Sequence, residues 1–234
     1  MTLGLKSADQ FDKIANTEFW VFDLDNTLYP ASSNLFAQID ARMKAFIARA
    51  FNISTEDAFK LQKKYYHDYG TTLRGLMVHD GIDPEIFLSY VHDIDHSVLQ
   101  PDAALDSALE NLPGRKFVYT NGSAQHAAAV TDRLGISHHF TGIFDIRASD
   151  YIPKPDPASY TDFIARHGVA PKRAVMFEDS HKNLKPAADL GMATVFVRHP
   201  SNAPANREDM DHCHYLTEDL VSWLQSATTH IARS

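Results

Sequence analysis

Phe19-Trp20-Val21-Phe22-Asp23-Leu24-Asp25-Asn26-Thr27 is the stretch on which the fold turns. A short apolar run that closes on Asp and Asn reads as a strand buried on both faces, followed by a turn. Period-2 geometry sets Asp23 and Asp25 on one side for as long as the strand continues. Three later runs have the same form: Lys116 to Gly122, Ala174 to Ser180 and Thr194 to His199. Helical patterns lie between them, at Ala124 to Leu134 closed by Gly135, Ser159 to His167 closed by Gly168, and Asn183 to Leu190 closed by Gly191. Strand and helix in alternation give an α/β layered domain, whose ligand crevice lies at the carboxyl ends of the strands.

Residues 31–100 interrupt that alternation, with several helix signals and no strand signal. Phe36, Ile39, Met43, Phe46 and Ala50 follow helical spacing, Ser54 with Asp57 resembles a capping box, and Asp83-Pro84 suits N-cap and N1. The reading is an inserted helical unit at 31–100 packed on an α/β core made of 1–30 and 101–234. A cleft between the two is the natural site, with hinges at the crossings near Pro30 to Asn34 and Val98 to Asp102.

Composition narrows the function. The 234 residues carry 22 Lys plus Arg against 30 Asp plus Glu, a formal charge of −8, and 44% are hydrophobic. This describes an ordinary folded chain without the basic footprint that binding polymeric nucleic acid requires. Small anionic substrates remain. The single Cys213 forms no internal disulfide, the first residues lack the apolar run of a secretory signal, and no stretch approaches the roughly 20 apolar residues that span a bilayer. The expectation is a cytoplasmic protein with no membrane partner; its oligomeric state is not specified.

The polar strand ends carry the chemistry. Two close carboxylates repel, and a divalent cation removes the conflict while keeping Asp23 ionised as a nucleophile, with Asp25 free to exchange a proton. Thr120-Asn121 precedes Gly122-Ser123, which opens a helix whose free N–H groups favour an anion. Lys154 sits in Lys-Pro-Asp-Pro, where Asp156 can cap a helix with Pro157 at N1, and Glu178-Asp179 supplies hard oxygen ligands. Each has a plain alternative: a turn, a solvated charge, a helix cap. Their shared place at strand ends decides for a site.

In combination and in order, Asp23-x-Asp25-x-Thr27, Thr120-Asn121, Lys154-Pro155 and Glu178-Asp179 resemble the four motifs of haloacid-dehalogenase-superfamily phosphatases with a helical cap inserted after the first strand. The resemblance implies a Rossmann-like three-layer core with a mostly parallel central sheet, an all-helical cap, and Mg²⁺-dependent hydrolysis of a small phosphomonoester through an aspartyl-phosphate. It makes Asp23 the nucleophile and Asp25 the general acid/base, with Thr120, Asn121 and Lys154 binding phosphate. Asp23, the Asp25 carbonyl and Asp179 hold Mg²⁺, and Glu178 supports the metal from behind its ligands. Dehalogenases of the superfamily lack a phosphatase-type acid at the position of Asp25, which argues against dehalogenation.

Asp25-Asn26-Thr27-Leu28-Tyr29 together with Tyr69-Gly70-Thr71-Thr72-Leu73-Arg74-Gly75-Leu76 resembles the pyrimidine 5′-nucleotidase group. That implies UMP or CMP as substrate, with Thr71, Thr72 and Arg74 near the base or sugar. Alternative readings are another phosphomonoester (phosphoglycolate, a sugar phosphate, FMN or pyridoxal phosphate) or a phosphate-binding regulatory protein without turnover. The defining glycine patterns of dinucleotide, P-loop and serine-hydrolase sites are missing, and His212-Cys213-His214 lacks the spacing and fourth ligand of a zinc site.

Overall fold

The computed structural model describes residues 8–200, 202 and 210–232; residues 1–7, on which part of the signal-sequence reading falls, lie outside them. β1 (Phe19–Phe22) is flanked by β2 (Arg115–Tyr119) and β4 (Ala174–Glu178), with β3 (Phe140–Phe144) beyond β2 and β5 (Ala193–Val197) and β6 (Tyr215–Thr217) beyond β4. Every pairing is parallel. β1 is shorter than its sequence run. Asp23 N–H still donates to the Phe177 carbonyl at 2.9 Å, but Thr27 and Leu28 N–H then fold back onto the Leu24 carbonyl. Asn26 takes φ +59°, a left-handed turn that Asn accepts more readily than most residues. β3 and β6 were not anticipated: β3 is a half-exposed edge strand with Gly142 at its centre, and β6 has three residues.

Alternation within β1 builds both layers of core. Trp20 and Phe22 join Val118, Val175 and Phe177 beneath α5 (Ala103–Glu110), α6 (Ala124–Leu134) and α9 (Leu220–Ile231). Phe19 and Val21 join Phe117, Tyr119 and Met176 beneath α7 (Pro157–His167) and α8 (His181–Asp189). Phe22 and Phe177 stack at 4.6 Å, and burying one such side chain contributes roughly 1.5–3 kcal/mol. The sheet is thus covered on both faces, which is why its strands read as continuous apolar runs. His212 and His214 serve this core: His214 Nδ1 accepts from Thr194 N–H at 3.1 Å, and His212 Nε2 donates to the His181 carbonyl.

The insertion holds α1 (Leu35–Phe51), α2 (Thr55–Tyr69), α3 (Thr72–Asp80) and α4 (Pro84–Val91), packed around Ile39, Phe46, Ile47, Leu73, Leu76 and Phe87. Ser54 accepts from Asp57 N–H at 3.1 Å and donates to its carboxylate at 2.8 Å, while Asp83 caps α4 with Pro84 in its first turn. Gly75 permits the close approach of α2 and α3, since a Cβ there would stand 2.4 Å from Tyr65. A bidentate pair joins insertion to core: Arg147 donates to Glu85 at 2.7 and 2.8 Å, and Tyr151 OH adds a third bond at 2.7 Å. Among the described residues no helix is long and apolar enough to cross a membrane.

Candidate functional site

The ends of β1, β2 and β4 and the loop before α7 bring the sequence motifs together at one point. Asp156 accepts from Ala158 N–H and caps α7, so the turn carrying Lys154 is fixed from its far side. Asn121 fixes it from the near side, its Oδ1 accepting from Lys154 N–H at 2.8 Å and its Nδ2 donating to the Lys154 carbonyl at 3.1 Å. Asn121, expected as a phosphate ligand, lines the cavity and also clamps the backbone of this turn. Held this way, Lys154 is 1% exposed and donates to Asp23 Oδ1 at 2.7 Å, Glu178 Oε2 at 2.7 Å and the Tyr119 carbonyl at 2.8 Å. Thr27 donates to the other Asp23 oxygen at 3.1 Å.

Asp25 stands on the same cleft with its carboxylate turned to different partners. Tyr29 OH donates to its Oδ1 at 2.5 Å and the His126 Nε2 lies 2.9 Å from the same oxygen. Burial alone raises a carboxylate's pKa; here His126 and the Tyr29 hydroxyl outweigh it and Asp25 lies below its ordinary value. Thr120 is buried and accepts from Gly122 N–H at 2.9 Å, and Ser123 caps α6 by accepting from His126 N–H. Part of the anion-binding capacity expected at that helix start is met internally, because the Ala124 N–H donates to Asp145.

Charge does not balance at the cleft floor. Asp23, Glu178 and Asp179 offer carboxylate oxygens within 4.8 Å of one another, and Lys154 is the ammonium bonded to two of them. Burial pushes all three carboxylates up, Asp23 and Asp179 with help from their acidic neighbours, and Glu178 to about 7. A buried set of hard oxygens with surplus negative charge fits a divalent cation such as Mg²⁺. Asp23 and Asp179 would hold it beside the Asp25 carbonyl. Glu178, bonded to Lys154 and to Ser180 N–H, braces the cluster.

Linkage gives this a measurable sign. The folded pKa values exceed the unfolded ones, so the cluster's contribution to stability is full below about pH 4 and is lost as pH rises through about 7. A cation binds the ionised form and removes that loss. The Tm gain from Mg²⁺ is therefore expected to be small near pH 5.5 and about 5–10 °C near pH 8 at a concentration roughly 100-fold above Kd, read by calorimetry. Equal gains at both pH values would refute cation binding at this cluster.

A cavity of about 500 Å³ joins this floor to the insertion, lined there by Phe36, Met43, Tyr66, Thr71 and Thr72 among others. Thr71 is also the N-cap of α3, accepting from Arg74 N–H, and Thr72 donates to the Gln62 carbonyl. Arg74 is not among the lining residues, so of the three insertion residues singled out by sequence it is the one set apart. The site also contains His126, His92 and Tyr29, to which sequence reading gave no role. Tyr29, four residues after Asp25, was visible as a spacing; the histidines, distant in the chain, had no signal.

The comparisons agree with this geometry. Residues 20–191 match the family model described as haloacid dehalogenase-like hydrolase. Phosphate metabolism protein 8 of Saccharomyces cerevisiae is 29% identical over 74% of this chain, the match spanning 59% of that relative's length. A glyceraldehyde 3-phosphate phosphatase of Methanocaldococcus jannaschii is 30% identical over 76% of this chain and 83% of its own. Among solved structures, an HAD phosphatase from Thermococcus onnurineus superposes with a TM-score of 0.60 at 19% identity, covering 90% of this chain and 97% of that one. With a family model over most of its length and a parallel sheet whose carboxyl ends, with the loop before α7, gather Asp23, Asp25, Lys154 and Asp179, the chain belongs to the haloacid dehalogenase-like hydrolases.

Proposed function

We propose that this hydrolase is a phosphomonoesterase in which Asp23 is the nucleophile, Asp25 the general acid/base, residues 1–30 and 101–234 the catalytic core and 31–100 a cap. The observation that carries the reading is the buried Asp23 carboxylate, gripped by Lys154 and Thr27 at the floor of the cleft, with Asp25 beside it on separate donors. One Asp23 oxygen attacks phosphorus and the ester P–O bond breaks, its electron pair leaving with the alcohol oxygen, which takes a proton from Asp25, protonated on Oδ2 once the anionic phosphoryl group in the cleft favours its neutral form. Water then attacks the aspartyl-phosphate, Asp25 takes the water's proton, and phosphate departs with Asp23 regenerated. Lys154 and the Thr120 turn offset charge on the phosphoryl oxygens. A bound Mg²⁺ would supply further neutralisation of that charge.

The substrate we assign is a pyrimidine nucleoside 5′-monophosphate, UMP or CMP. Support comes from the Tyr69 to Leu76 resemblance, from Thr71 and Thr72 on the cavity wall, and from a space large enough for a nucleoside. The phosphatase reading is supported separately by relatives whose names are phosphatases. In a screen with Mg²⁺ across nucleoside monophosphates, glyceraldehyde 3-phosphate, phosphoglycolate, flavin and pyridoxal phosphates, kcat/KM is expected to be highest for UMP or CMP. A maximum on a sugar or triose phosphate overturns the nucleotide assignment, and hydrolysis of none overturns the phosphatase.

A further inference from the structure

His126 is the buried hub of an imidazole array that neither the proposed chemistry nor the sequence motifs use. Its side chain is 0% exposed. Its place is set by α6, where Ser123 is the N-cap and His126 falls in the first turn, with its N–H on Ser123 Oγ at 3.2 Å. The Nε2 faces Asp25 Oδ1 at 2.9 Å and the Nδ1 faces His96 Nε2 at 3.1 Å. A carboxylate oxygen can only accept, so Nε2 carries the hydrogen and donates it. His92 lies flat on the same ring, with centroids 4.6 Å apart and an angle of 2°, and its Nδ1 is 2.9 Å from Ser123 Oγ. His92 ends α4 and His96 begins the turn leading back to the core, so His126 is gripped by the cap.

The consequence lies in how Asp25 is held. Both of its named donors, Tyr29 and His126, use Oδ1. That leaves Oδ2 for proton exchange and stops the carboxylate from rotating. We propose that His126 is a positioning residue that fixes the Asp25 carboxylate for proton transfer to the leaving group, and that His96 of the cap holds His126 in place while it does so. The proposal rests on the acid/base reading of Asp25 given above. Cap seating and competence for proton transfer then become one event, since the same imidazole touches both.

The test separates positioning from general damage through the leaving group. In kcat/KM, which reports the first chemical step, p-nitrophenolate departs without a proton whereas the phenolate of phenyl phosphate needs one far more. His126→Asn places its amide near the Nδ1 position, within reach of His96 but short of Asp25; His126→Gln extends to the Nε2 position. With Mg²⁺ present, His126→Asn is expected to lose roughly 100-fold on phenyl phosphate and less than about threefold on p-nitrophenyl phosphate, and His126→Gln to restore most of the loss. His96→Ala, at a partly exposed position, gives a smaller loss of the same selectivity and carries the test if the buried variants melt early.

Asp25→Asn is the control that keeps two failures apart. If wild type cleaves neither ester, or Asp25→Asn loses equally on both, the acid/base reading has failed. If Asp25→Asn is selective while His126→Asn and His96→Ala lose equally on both esters, or lose nothing, the positioning role is overturned.

Discussion

Asp23→Asn is expected to lower kcat by roughly 10⁴-fold or more on every phosphomonoester the protein hydrolyses, with the fold intact. The change is nearly isosteric. The amide oxygen can still accept from Lys154, while the amide nitrogen turns to Thr27, whose hydroxyl can accept as well as donate. What disappears is the carboxylate oxygen that attacks phosphorus in the proposed mechanism. Acid-quenched wild type should carry a phosphoryl-mass increment on the peptide containing Asp23, and the variant none. Near-normal hydrolysis by the variant, with metal present and deamidation excluded by mass spectrometry, would rule out the covalent route.

Lys154→Met should damage stability and activity together. The ammonium is buried and bonded to two carboxylates and a carbonyl; the thioether fills much of the space and offers no donor. Asp23 and Glu178 are left without their bonded cation, and breaking a buried pair by removing one partner costs about 3–5 kcal/mol. Denaturant unfolding without divalent cations measures that loss. Activity should fall by roughly 10²–10³-fold, the scale on which electrostatic stabilisation of developing negative charge is lost. Lys154→Arg should not rescue it, because a planar fork does not fit where one nitrogen meets three acceptors. Unchanged unfolding would show that the cluster does not depend on Lys154 for charge balance.

The residues differ in how plainly the chain announced them. β1, β2, β4 and β5 were legible because a strand buried on both faces must be apolar throughout, and α6 and α7 because Gly135 and Gly168 close them. The convergence of Asp23 and Glu178 followed from their place at the ends of parallel strands, while Lys154 reaches them from the loop before α7. The clamp that Asn121 makes was not legible for a physical reason: a polar residue at a strand end can face the ligand or the neighbouring loop, and only the fold places Lys154 where its amide clamps it. Arg74 stands apart because Thr71, as the cap of α3, sets the helix phase and with it the face on which residue 74 falls. His126 could not be read at all, since its meaning depends on Asp25 and His96, which folding alone brings to it.

The position of β1 also bears on how the active site comes into being. The strand that leads to Asp23, the proposed nucleophile, has no local partner: Phe22 lies beside Val118 on one side and Phe177 on the other. Loop-closure entropy rises only with the logarithm of loop length, each doubling costing about 0.6 kcal/mol, so a helical insertion between β1 and β2 weighs little at equilibrium. Its weight is on time. Sheets assembled from distant pairings form slowly because the chain must close before those contacts exist, whereas helices that pack on their neighbours in sequence mature early. On this argument the helical insertion forms by local events and the cleft floor by long-range ones, so a nascent chain is expected to hold the proposed cap before it holds anything for that cap to cover.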